Sequence, residues 1–173
     1  MKIEHPNALR FLLESDIYLL PEDRTVTTTT TADEPTAVKN EQVKPLTFKY
    51  LGKNLRNFLI VTDYPGIDFI EEAHLSALYN SLQKKQDSMH PDDVAIFNYN
   101  SAVDSKKEDL LAYFKPGCIL FLGIDPQKLG WKHLTLNTPD QQDGTAVLYT
   151  YSFNEMLGNK EKTIAFWNPM KNF

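Results

Sequence analysis

Cysteine is nearly absent from this chain. Cys118 stands alone, which removes any intramolecular disulfide and fits a reducing cytoplasm. Glycine is scarce as well, and neither G-x-G-x-x-G nor G-x-x-x-x-G-K-[ST] occurs, so Gly66, Gly117 and Gly123 read as isolated turn residues and not as a phosphate cradle. No apolar run approaches the roughly 18 residues of a membrane span, and the N-terminus lacks the apolar stretch and cleavage site of a secretory leader. A soluble, cytoplasmic protein without membrane association is expected. Positive charge is not in excess: the formal net charge is −5, and no segment carries the surplus of Lys and Arg that duplex binding requires. Tight direct nucleic-acid binding is therefore disfavoured, and Lys84-Lys85 and Lys160–Lys162 read as solvated helix faces. His5, His74, His90 and His133 are scattered, with no H-x-x-x-H and no partner cysteine, so no metal is expected, and no cofactor either. No G-x-S-x-G elbow occurs, and Cys118 lies in an apolar run where it reads as a small core residue.

What is present is an apolar fraction of 42% and an aromatic fraction of 12%, the composition of a globular chain. The first residues behave differently from the rest. Asn7 to Leu20 carries a dense set of large apolar side chains, with Leu9, Leu12 and Leu13 on one helical face, then an extended Ile17-Tyr18-Leu19-Leu20 stopped by Pro21. A segment of about 12 to 15 residues cannot hold itself together in water, so its apolar side must fold back or enter another protein. Residues 25–44 are threonine-rich and polar, a composition that reads as a linker. Three parts result: a docking segment over 1–24, a linker over 25–44 and a domain over 45–173.

Within that domain, strand and helix signals alternate. Phe58–Thr62, Val94–Phe97, Cys118–Leu122 and Thr145–Thr150 are short, mostly apolar runs, the pattern of strands buried on both faces. Between and after them come amphipathic stretches over Phe69–Asp87, from Asp104 or Ser105 to Phe114, over Phe153–Leu157 behind Ser152, and over 160–168. The expectation is an α/β fold, a small three-layer domain with a mainly parallel four-stranded sheet.

Ligands of such sheets gather beyond the carboxyl ends of the strands. Asp63-Tyr-Pro-Gly66, Asn98-Tyr-Asn100 and Gly123-Ile-Asp-Pro126 reach that edge. An enzyme would use Asp63 or Asp125 there as general base, with His133 or Asn98 nearby. The plainer reading makes these aspartates turn and cap residues. Tyr64 and Tyr99 could stack on bases, although no basic groove accompanies them. Trp167 reads as a core anchor that could also serve an interface.

Three segments together resemble the psi subunit family of the bacterial DNA polymerase III holoenzyme. They are Leu9-Arg-Phe-Leu-Leu-Glu-Ser-Asp-Ile-Tyr-Leu-Leu-Pro21, the strand and turn Phe58-Leu-Ile-Val-Thr-Asp-Tyr-Pro65, and Thr150-Tyr-Ser-Phe-Asn-Glu-Met-Leu157 with Lys162 and Trp167. Tyr151 stands where the family has a proline, and residues 127–144 have no counterpart in it. The resemblance implies a non-catalytic bridge whose N-terminal segment docks on the clamp-loader ATPase subunits. On this chain the docking residues would be Leu9, Leu12, Leu13, Ile17, Tyr18 and Leu20, with Trp167 as a further partner-binding residue. It also implies an α/β domain that binds a chi-like subunit, and a fold similar to uracil-DNA glycosylases without their active site. The alternative it leaves open is a glycosylase-like enzyme in which Asp63 activates water and Asn98 holds a base.

Overall fold

A computed structural model of the protein describes residues 47–173. The expected docking segment, with Leu9, Leu12, Leu13, Ile17, Tyr18 and Leu20, and the linker over 25–44 lie outside the described residues.

Strands β1 (Tyr50–Gly52), β2 (Phe58–Thr62), β3 (Val94–Asn98), β4 (Cys118–Leu122), β5 (Asp140–Gln142) and β6 (Thr145–Thr150) form one sheet in the order β1-β3-β2-β4-β6-β5. The four strands expected from sequence are its centre, and they are mutually parallel. The expected four-stranded sheet is nevertheless too small. Two three-residue strands, β1 and β5, pair antiparallel on the outer edges and make a mixed sheet of six. β1 is too short to stand out in sequence, with Tyr50 and Leu51 packing on opposite core layers, and Asp140-Gln-Gln142 is a strand because it lies against Thr145–Val147, not because of its side chains.

The helices are α1 (Glu72–Gln83), α2 (Lys107–Phe114), α3 (Phe153–Met156) and α4 (Lys160–Met170). Alternate residues of each central strand serve opposite faces. Phe58, Ile60, Ile96, Leu120, Leu122 and Leu148 meet Leu78 and Leu82 of α1, Phe153 and Met156 of α3, and Phe166 and Met170 of α4. Leu59, Val61, Phe97, Ile119, Phe121 and Val147 meet Leu110 and Phe114 of α2. Every residue of β2 and β3 is buried, and each large apolar side chain removed from water contributes about 1.5–3 kcal/mol before entropy is counted.

Chain direction explains which face each connection takes. From β2 to β3 the chain steps one way along the sheet, through α1; from β3 to β4 it steps back past β2, through α2. With right-handed crossovers, opposite steps place α1 and α2 on opposite faces. The step from β4 to β6 repeats the second direction, so its connection belongs beside α2. Leu129, Trp131 and Leu134 are indeed buried in that layer. Residues 126–139 thus do a helix's work of covering the sheet with a single 3-10 turn, Pro126–Leu129, and irregular chain, before β5 joins the sheet edge.

Candidate functional site

The reversal of direction makes the boundary between β2 and β4 the switch point of the sheet. There the turns leaving the two strands diverge, and a crevice for ligands is expected at their carboxyl ends. The residues flagged from sequence do converge here, but mostly on one another.

Asp63 leaves β2 with its side chain 25% exposed. One carboxylate oxygen accepts from Asn100 Nδ2, and the other lies 3.6 Å from Lys128 Nζ. Lys128 comes from the 3-10 turn behind β4, so this ion pair spans the crevice. The turn itself is built by Asp125, whose carboxylate accepts from the Gln127 backbone N–H at 3.0 Å. Asp125 is therefore a cap, as the plainer reading has it. His133 pairs its Nδ1 with Gln127 Nε2 at 3.2 Å, on the exposed side.

Asn98, the last residue of β3, is fully buried. Its Nδ2 donates to the carbonyls of Tyr64 and Ile67, both at 2.8 Å, and its Oδ1 accepts from the Tyr64 N–H at 3.0 Å and the Asn100 N–H at 3.3 Å. An Asn side chain offers two donors and one acceptor oxygen, and here all are engaged with backbone. Asn98 is thus the clamp that shapes the turn after β2.

Tyr64 in that turn is also buried. Its Oη lies 2.8 Å from Nδ1 of His74 in the first turn of α1, and His74 stacks on Phe153 with centroids 5.4 Å apart. Burial, with the Glu71 carboxylate as a lesser cause, pushes the Tyr64 phenol up to about 12. Stacking on bases needs an exposed ring face, which Tyr64 lacks, and Tyr99 packs partly against the opposite core layer. The idea of a stacking platform at these two tyrosines is thereby corrected for Tyr64.

Cys118, at the start of β4, is half-buried, and burial pushes its thiol up, away from nucleophilic use. Trp167 has one side against the core and the other at the surface beside Lys84. Among the described residues no three of His, Cys, Asp and Glu are grouped to hold a metal ion, and no helix is long and apolar enough to cross a membrane.

Sequence reasoning missed the partners that occupy Asp63 and the Tyr64–His74 pair. Asn100 had a signal, since it follows Asn98 by two at a strand end. Lys128 had none, because only the topology brings the turn behind β4 to the turn behind β2. No family model matches the chain, and no curated protein matches it significantly.

Proposed function

We propose that the protein is a non-catalytic adaptor of the replicative clamp-loader assembly, held to the ATPase subunits by its first 24 residues. The resemblance of the docking segment, the first central strand and the closing helices to the psi family suggests the assembly. The observation that supports a non-catalytic role is the state of the switch-point crevice. Asp63 and Asn98, which a glycosylase-like enzyme would keep for water and base, spend their polar atoms on Asn100, Lys128 and the turn backbone. A carboxylate with one oxygen bonded to Asn100 and the other facing Lys128 at 3.6 Å is poorly placed to orient water.

The test mixes the full chain with purified clamp-loader ATPase subunits and follows co-elution in size-exclusion chromatography. Leu12→Asp with Leu13→Asp is expected to abolish co-elution while the far-ultraviolet circular dichroism and melting temperature stay unchanged. Retained co-elution would sink the docking role. Release of uracil from single-stranded DNA by the intact chain, lost in Asp63→Asn, would replace this reading with the glycosylase-like one.

A further inference from the structure

The exposed side of α4 carries a stripe that the fold does not use. Lys160, Ile164, Trp167 and Lys171 follow one another at intervals of four, three and four residues, which aligns them on one line of the helix. Ile164 is 49% exposed, among the most exposed large apolar side chains in the described domain. Trp167 turns its outer side toward a shallow groove against α1, where Lys84 sits. The end of α1 and the end of α4 are adjacent, since the Gln86 N–H donates to the Lys171 carbonyl at 3.3 Å.

The charge at this surface has one dominant sign. Lys84, Lys160 and Lys171 surround two apolar side chains, and none of the three takes part in an ion pair among the described residues. Glu161, on the flank of the helix, is the one acidic residue of α4. This cationic frame stands out on a chain whose net charge is −5. Unpaired lysines around an apolar strip fit an occupant with carboxylates on either side of an apolar ridge.

We infer that the α4 stripe is a docking surface for an acidic amphipathic helix of a partner protein. The ridge of that helix covers Ile164 and the outer side of Trp167, and its carboxylates reach Lys84, Lys160 and Lys171. A nucleic acid fits less well, because three cations make few phosphate contacts and the strip offers a base only the half-buried ring of Trp167 to stack on. The inference deepens the adaptor reading by giving the α/β domain a partner surface of its own, separate from the N-terminal segment.

The experiment uses the full-length, isotope-labelled chain and a synthetic acidic peptide of about sixteen residues, with leucines spaced for one helical face and glutamates flanking them. Amide shifts confined to α4 and the end of α1, weakening as salt is raised, are the expected result. Ile164→Asp, and separately Lys160→Glu with Lys171→Glu, are expected to weaken binding about tenfold or more. All three positions are exposed, and unchanged melting temperatures verify that the variants fold. The inference is overturned by any of three results: no shifts on the stripe, equal binding of the same peptide with lysines for glutamates, or preferential binding of oligothymidylate or of phosphatidylserine vesicles. Leu12→Asp with Leu13→Asp is expected to leave peptide binding intact, so loss of loader capture and loss of peptide binding are told apart.

Discussion

Asn98→Ala is expected to lower the stability of the protein by about 3–5 kcal/mol, and with it the melting temperature by about 10–20 °C. The substitution leaves the Tyr64 N–H and the carbonyls of Tyr64 and Ile67 without the amide that now satisfies them. Each orphaned buried group costs about 1–3 kcal/mol, and water entering at the Ile67 end recovers part of that. Asn98→Asp separates the clamp from a simple loss of volume. It keeps an acceptor for the Tyr64 N–H but turns a carboxylate oxygen toward two carbonyls. Burial and those carbonyls favour the protonated acid, so the folded state binds a proton more readily than the unfolded chain. Stability of Asn98→Asp is therefore expected to rise as pH falls from 8 toward 5, a trend opposite in sign to that of an ordinary stabilised carboxylate. Urea unfolding followed by circular dichroism at both pH values measures it. An Asn98→Ala protein as stable as the parent would show that the amide is free for another task, and would reopen the glycosylase-like alternative.

Gly123→Ala is expected to destabilise the domain strongly, by about 3 kcal/mol or more. Gly123 has φ of +76° directly after β4, and its N–H donates to the Thr150 carbonyl at 3.0 Å. A Cβ built there would lie 2.8 Å from Ser152 Cα and closer still to Ser152 Cβ. The contact is with backbone and a short side chain, so no rotamer change relieves it. Gly66→Ala is the control: its φ is +81°, but no atom lies within 4 Å of the added carbon. Only the cost of the left-handed conformation applies there, about 1–2 kcal/mol. Removing Ser152 Cβ as well, in Gly123→Ala with Ser152→Gly, is expected to recover part of the loss. Equal effects of Gly123→Ala and Gly66→Ala in thermal unfolding would show that the close approach to Ser152 has no energetic weight.

The centre of the fold was readable because its strands are buried on both faces and carry the signal themselves. Phe58–Thr62, Cys118–Leu122 and Thr145–Thr150 have the bounds the apolar runs suggest. The edges were unreadable for the opposite reason, since Asp140–Gln142 takes its conformation from a neighbour. Helix starts shifted where side chains chose other partners. Ser105 donates to the Ala102 carbonyl instead of capping α2, which opens after Lys106, where the Asp109 carboxylate accepts from the Lys106 N–H. At the crevice, the sequence placed Asp63, Asn98 and Asp125 on one rim but could not tell a free side chain from an engaged one. That distinction is a matter of tertiary hydrogen bonding, and for Lys128 it depends on the winding of the whole sheet.

The position of β2 has a consequence for how the chain is made. It is flanked by β3 on one side and β4 on the other, and both follow it in sequence. As the protein emerges from the ribosome, the first βαβ unit can close with β3 while the far edge of Phe58-Leu-Ile-Val-Thr62 still lacks its neighbour. That edge stays bare until residues 118–122 have been synthesised, a window in which a nascent chain is open to mispairing with its neighbours on a polysome.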